Sequence, residues 1–240
     1  MKVLFIGDIH GRSLWKDIIA HEQPDKVVFV GDYFDSFDIG AAEQIYNFRQ
    51  IVLFQHETDI EVIMLIGNHD HHYLVTNENY SGYQGAQRWN IESTIRQNLD
   101  HMEIAHQIDH LIISHAGISP VWCDAVFEDG WEVETVVEQI NELYKYKPQL
   151  FGFIGSNIYG DDVKAGPLWI RPRSLMKSNK KREIKPVAVQ IYGHTHSEKI
   201  DIKHFKKSTG EKYLNIDALQ NGWYVVYENN TLDIRQYGKS

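Results

Sequence analysis

Short apolar runs recur along this chain, and several are closed by a glycine and then by polar residues. Residues 2–6, 26–30 and 62–66 have the length and composition of buried strands. Between the first two, Leu14, Trp15, Ile18 and Ile19 are spaced for one face of a helix, with Ser13 as its N-cap. Between the second and third, Ile45, Phe48 and Val52 mark a helix over about residues 41–56. This β-α-β-α-β order predicts parallel strands joined by crossover helices. Residues 73–89 are polar, aromatic and irregular, and are expected to form a long surface loop capping the substrate side. A helix is expected near residues 91–99 and a strand at 111–113. A helix over 132–144 should set Val133, Val136, Val137, Ile140 and Leu143 on one stripe. Residues 151–173 are rich in glycine and aromatics. The basic run 174–185, with Lys177, Lys180, Lys181 and Arg182, reads as a solvated loop or as a contact for an acidic substrate. A strand is expected over 187–191. The tail reads as antiparallel strands around 199–203, 213–217, 223–227 and 232–237, with a hairpin turn at Glu228-Asn229-Asn230. With no repeat and no linker, a single domain is expected over residues 1–240.

Composition narrows the function classes. The chain is 42% hydrophobic with a formal net charge of -9 and a pI of about 5.8. Such a field argues against a nucleic-acid or anionic-membrane binder, though bound cations can reverse its sign locally. The single cysteine, Cys123, allows no intrachain disulfide and reads as a small buried hydrophobe. Asp8 and His10 interrupt the first apolar run too early for a leader peptide. No apolar stretch approaches the ~18 residues of a membrane span. A reducing, cytoplasmic location is expected.

Histidines change the picture more: there are thirteen. Five predicted strands end in metal-ligand residue types: Asp8 and His10; Asp32 and Asp35; Asn68, His69 and Asp70; His115; and His194 with His196. Each alone has a plain structural explanation as a turn, cap or hydrogen-bonded residue. Together, at the edge where open α/β sheets bind ligands, they point to a shared site. Mixed carboxylate, imidazole and amide donors suit first-row divalent metals such as Mn, Fe or Zn. So many such donors are too many for one tetrahedral ion and suit two ions with a bridging carboxylate. His69 is then placed to protonate a leaving group, and Asp35 to orient it and favour its charged form.

The blocks Gly7-Asp8-Ile9-His10-Gly11, Gly31-Asp32 with Asp35, Gly67-Asn68-His69-Asp70, Ser114-His115-Ala116-Gly117 and Gly193-His194-Thr195-His196 resemble, in order, those of the calcineurin-like metallophosphoesterases. The resemblance implies a four-layer αββα sandwich of the α/β class with a dinuclear centre between its sheets. It implies one ion held by Asp8, His10, Asp32 and His196, and a second held by Asp32, Asn68, His115 and His194. Two divalent ions, Mn2+ with Fe or Zn as alternatives, are expected, with attack on phosphorus by a hydroxide held between them.

Within the family, the second block resembles the phosphoprotein phosphatase pattern Gly-Asp-x-x-Asp-Arg-Gly. Ser36 stands where that pattern has its phosphate-binding arginine, and Phe37 where it has glycine. Asp70 also replaces the usual glutamate and is given only a supporting role. Leu168-Trp169-Ile170-Arg171 resembles the segment carrying a second phosphate-binding arginine in bacterial relatives, so Arg171 is the candidate clamp; Arg12 and Arg173 are weaker ones. His71 and His72 match nothing assignable and are expected at the surface or behind the ligands. The resemblance therefore implies a phosphorylated substrate. The first reading is a serine/threonine phosphoprotein phosphatase. Alternatives are a nucleotide phosphoesterase and an inactive scaffold; the scaffold predicts loss of His69 or His10, and both are present.

Overall fold

The computed structural model describes residues 1–75, 80–156, 161–178, 189–200 and 212–238. Its strands are β1 (Val3–Ile6), β2 (Lys26–Phe29), β3 (Glu61–Leu65), β4 (Met102–Glu103), β5 (Ala105–Ile108), β6 (Leu111–Ser114), β7 (Val189–Tyr192), β8 (Lys212–Asn215), β9 (Trp223–Glu228) and β10 (Thr231–Gln236). The helices are α1 (Trp15–Glu22), α2 (Ala41–Glu57), α3 (Asn68–Val75), α4 (Arg88–Arg96), α5 (Pro120–Val126), α6 (Val136–Tyr146) and α7 (Pro172–Ser178). They build two sheets, ordered β10-β9-β1-β2-β3-β4 and β5-β6-β7-β8.

Side-chain alternation turns those sheets into the expected layers. Val3 and Phe5 of β1, and Val28 of β2, join Leu111, Ile113, Val189 and Ile191 of the other sheet in one apolar core. Their neighbours Leu4, Ile6, Val27 and Phe29 face the opposite way and share a core with Trp15, Ile18, Phe48 and Ile51 of α1 and α2. Trp15 meets Phe29 edge-on at 5.7 Å. Across the second sheet, Asn141 of α6 binds the backbone of Ile104 and Ala105 through Oδ1 at 2.9 and 3.1 Å. The result is the four-layer αββα sandwich.

Several local expectations are corrected. Helix α1 starts at Trp15 after Leu14, with no side-chain cap, so Ser13 is not its N-cap. Residues 73–89 are not one surface loop: α3 continues to Val75, Tyr73 is buried, and α4 begins at Arg88. Helix α6 begins at Val136, while Val133 is buried in the preceding turn. Residues 174–178 belong to α7, with Ser174, Leu175 and Ser178 buried; Lys180, Lys181 and Arg182 lie outside the described residues. Strand β8 runs parallel to β7, not antiparallel. Of the strand expected over 199–203, residues 201–203 lie outside the described residues, as do residues 187–188. Strands β4 and β5 were missed because they are short edge strands whose polar Glu103, His106 and Gln107 break the apolar signal. The β9–β10 hairpin is as expected, with Asn229 and Asn230 at φ 51° and 58° in its turn.

Candidate metal centre

The ligand-type residues follow the C-terminal ends of β1, β2 and β3 in one sheet and of β6 and β7 in the other. The site is thus made by the facing ends of two sheets, the place between the sheets that the family resemblance implies. Four of these residues have a backbone that L side chains rarely adopt: φ is 41° at His10, 51° at Asp32, 65° at Asp35 and 65° at His194. Cross-links hold these turns in place. His10 N donates to Asp32 O at 2.7 Å and Gly11 N to Tyr33 O at 3.0 Å. The Asp70 carboxylate accepts the N–H groups of Asp32, Tyr33 and Gly67 at 2.9, 2.9 and 2.8 Å. Asp8 accepts the N–H of His194 at 3.0 Å, lashing β1 to β7. At Gly193 a Cβ would collide with the Asp8 carboxylate, and at Gly67 with that of Asp32. Both glycines let a ligand approach where any side chain would block it.

Side-chain geometry then tests whether these residues fit a cation. His115 Nδ1 lies 2.9 Å from the Val30 carbonyl, which can only accept, so Nδ1 carries the proton. Its Nε2 lone pair faces Asn68 Oδ1 at 2.8 Å and Asp32 Oδ2 at 3.4 Å, both acceptors. Protonating the ring would relieve that conflict, but burial pushes the His115 pKa down. His194 Nδ1 also points at Asn68 Oδ1, 2.9 Å away, and its Nε2 is buried without a hydrogen-bond partner. His10 repeats the pattern: Nδ1 sits 2.6 Å from Phe34 O, and Nε2 faces Asp32 Oδ2 at 3.8 Å. Ligand atoms of Asp8, Asp32 and His115 lie within 4.8 Å of one another. Burial, then repulsion by Asp217 and Asp32, raises the Asp8 pKa well above the usual carboxylate range. Converging acceptors and mutually repelling carboxylates fit divalent cations.

Beside this cluster, His69 Nδ1 lies 2.8 Å from Asp35 Oδ2, and the His69 ring meets His10 edge-on at 5.5 Å. Burial opposes charge on His69, but Asp32 and the bond to Asp35 outweigh it and push its pKa up to about 9. Burial likewise opposes charge on Asp35, yet hydrogen bonds from His69 and His72 hold it below its usual value.

Other expected residues are distributed around this core. His196 is exposed; its Nε2 is 2.8 Å from Gln220 Nε2 and its Nδ1 4.0 Å from Asp217 Oδ1. It lines a cleft of about 490 Å³ with Asp8, His10, Arg12, Asp35, Ser36, Phe37, Asp38, His69, Asp217 and Gln220. Arg12 enters that cleft and pairs with Asp38 at 3.2 Å, while the Ser36 hydroxyl donates to Asp38 at 2.6 Å. Arg171, half-buried, lies on the other side, where its charge adds to burial and His115 in depressing the His194 pKa. Arg173 is exposed. His71 and His72 are buried rather than at the surface: His71 Nδ1 pairs with Tyr144 at 2.9 Å, and His72 Nε2 approaches Asp35 Oδ2 at 2.7 Å. Asp217 escaped sequence reasoning altogether. It is buried, and burial followed by Asp32 pushes its pKa up to about 7. Its signal was present, since Asp217 too is a carboxylate just beyond a strand end.

A two-sheet sandwich that converges acceptor atoms of carboxylates, imidazoles and an amide beside an imidazole–carboxylate pair, at the ends of its strands, has the site of a metal-dependent hydrolase. The calcineurin-like phosphoesterase family model matches residues 1–198, and the chain belongs to that family. Its members are metal-dependent phosphoesterases, so this chain is an enzyme acting on phosphoric esters. No curated protein sequence matches it. Solved structures share the fold at low identity. A cold-active protein-tyrosine phosphatase of a psychrophilic Shewanella superposes with a TM-score of 0.66 at 18% identity, covering 98% of this chain and 78% of that one. A protein serine/threonine phosphatase from Saccharomyces cerevisiae gives 0.63 at 12%, covering 100% and 80%. A metallophosphoesterase from Sphaerobacter thermophilus gives 0.56 at 12%, covering 100% and 90%. Among the described residues no helix is long and apolar enough to cross a membrane.

Proposed function

We propose that this phosphoesterase hydrolyses phosphomonoesters on protein side chains, those of serine and threonine first. The observation that carries the reading is the His69–Asp35 pair, 2.8 Å apart, at the wall of an open cleft beside the ligand cluster. A serine or threonine alkoxide is a poor leaving group and needs a proton; an acid held in place by a buried carboxylate supplies one. The Shewanella protein-tyrosine phosphatase and the yeast protein serine/threonine phosphatase support phosphorylated protein side chains as the substrate class, and the yeast enzyme supports serine and threonine among them.

Asp8, His10, Asp32 and His196 would hold one divalent ion, and Asp32, Asn68, His115 and His194 the other, with Mn2+ the first candidate. When bound, such ions lower the pKa of a water between them and offset charge on the phosphoryl oxygens. The remaining work falls to the chain. Val30 and Phe34 carbonyls fix the tautomers of His115 and His10. Asn68 offers its oxygen to the ligand cluster and, with Arg171, contacts the phosphoryl group. Arg171 is the candidate phosphate clamp, while Arg12, which shares Asp38 with Ser36, stands nearest the place where the pattern's arginine is missing. Asp35 orients His69, which gives its Nε2 proton to the leaving oxygen.

One observation favours a nucleotide substrate instead. Phe37 is 84% exposed at the cleft rim, a free face on which a base can stack. Turnover with Mn2+ on a phosphoserine peptide, a dinucleoside tetraphosphate, a cyclic nucleotide and p-nitrophenyl phosphate separates the two. Preference for the peptide is expected; activity confined to nucleotides would replace the protein-phosphatase reading. His69→Asn should lower turnover of the peptide by about 10²–10⁴-fold and spare p-nitrophenyl phosphate, whose leaving group needs no acid. Equal losses on both would remove His69 from the acid role.

A further inference from the structure

Arg12 reaches into the cleft from a fixed backbone, but its side chain is held by weaker contacts. Its N–H donates to Ile9 O at 2.8 Å, and its carbonyl accepts the Asn47 amide at 3.2 Å. One guanidinium nitrogen, Nη2, faces both oxygens of Asp38 at 3.2 and 3.5 Å and Gln220 Oε1 at 3.5 Å, while Nη1 donates to His10 O at 3.3 Å. A carboxylate gripping one nitrogen leaves the two-pronged fork of the guanidinium unused. Among the described residues that line the cleft, Arg12 is the only arginine or lysine. Asp38 is anchored from its other side, where the hydroxyl of buried Ser36 donates to its Oδ1 at 2.6 Å. The Asp38 side chain is 68% exposed and that of Arg12 21%. An ion pair so open to water favours its closed form by less than about fivefold. A phosphoryl dianion offers the same guanidinium several oxygens and a second negative charge.

We propose that Asp38 is a positioning residue that holds Arg12 in the empty cleft and gives it up to the phosphoryl group of a bound substrate, so that one carboxylate stands in for phosphate until phosphate arrives. The inference rests on the reading of this cleft as the phosphomonoester site, whether a protein or a nucleotide carries the phosphate. The exchange is confined to one side chain. The Arg12 backbone is tied to Ile9 and Asn47, and Asp38 keeps its bond to Ser36 when the guanidinium leaves. Every phosphate that engages Arg12 must first displace Asp38, which makes that carboxylate a built-in competitor and lowers the affinity of the cleft for free phosphate.

The test titrates inorganic phosphate into the Mn2+-loaded protein by calorimetry, with Mn2+ affinity measured in parallel. Arg12→Gln should weaken phosphate by about 10–100-fold. Arg12→Lys keeps the charge without the fork and should recover part of that loss. Asp38→Asn should tighten phosphate by about two- to fivefold. In the double variant that gain should vanish, because no arginine is left to release. Mn2+ affinity should match the parent throughout. Parent-like phosphate affinity in Arg12→Gln would overturn the inference. So would a gain from Asp38→Asn that survives in the double variant, since Asp38 would then act by its charge alone. Altered Mn2+ affinity in Arg12→Lys or Asp38→Asn would place the pair in support of the metal centre and overturn the exchange as well. A loaded parent that binds no phosphate would remove the cleft as the phosphate site, and the inference would fall with that reading.

Discussion

Asp70 shows what a single residue contributes that its neighbours in sequence do not announce. It shares a four-residue block with Asn68 and His69, yet its carboxylate faces away from the cleft and accepts three backbone N–H groups from two different turns. Those turns carry Asp32 and Asn68, so Asp70 sets the spacing between two ligands. An amide in its place turns one NH2 toward a backbone donor. Asp70→Asn should therefore cost about 1–3 kcal/mol in stability and weaken Mn2+ binding by roughly 10–100-fold. Urea titration and calorimetry of metal binding check the two halves, and unaltered metal affinity would show that the turns hold without it. The ligand candidates were legible because each stands just past an apolar run. Asp70, His72 and Asp217 were not, because their meaning lies in partners from distant segments: backbone amides, the Asp35 carboxylate, and the Asp8 and Asp32 charges.

Among the elements, α1 is tied down by an interaction its amphipathic pattern does not reveal. Glu22 is buried at its C-terminal end and binds Lys2 Nζ, Tyr224 Oη and Arg235 Nη1, each at 2.6 Å. One carboxylate thus joins the helix to the start of β1, to β9 and to β10. Burial opposes its charge, but the bonds from Lys2, Tyr224 and Arg235 prevail and pull its pKa from 4.5 down to about 2. A carboxyl whose folded pKa is depressed stabilises the fold above the unfolded pKa and loses that contribution as pH falls through the folded one. The parent should lose stability between about pH 4.5 and about pH 2 in which Glu22→Gln shows a flatter profile. At pH 7 the variant should be less stable by roughly 3 kcal/mol, because Arg235 and Lys2 lose a buried counter-charge. Urea midpoints at pH 7 and pH 3 measure both; parallel profiles would place the acid sensitivity elsewhere. Period-3.6 and period-2 patterns made most elements readable. They failed at β4 and β5, whose edge positions admit polar residues, and at residues 73–75 and 174–178, whose helices are stabilised by burial against neighbours.

For the whole molecule, the important division is between the sheets: one supplies Asp8, His10, Asp32 and Asn68, the other His115 and His194. The hydrophobic pattern placed all these strand ends together, but the two sheets were legible only through the motif resemblance, since pairing order is not written in hydrophobic alternation. Buried carboxylates at Asp8, Asp32 and Asp217 make the metal-free centre self-repelling. Divalent ions should therefore fasten the sandwich. Mn2+ at a hundred times its dissociation constant would add about 2.7 kcal/mol, several degrees in melting temperature for a chain of this size. Scanning calorimetry with and without a chelator reads that shift, and no shift would place the ions outside the folded core. The pairing of Val3 with Tyr227 carries a further consequence, for how the chain is made. Strand β1 leaves the ribosome well before its second neighbour β9, which emerges some 220 residues later, roughly 10–45 s at ordinary rates of synthesis. Throughout that interval the strand leading to Asp8 and His10 has an open edge, free to recruit a chaperone or a stray strand. The first turn of the centre to be translated is therefore among the last to be secured.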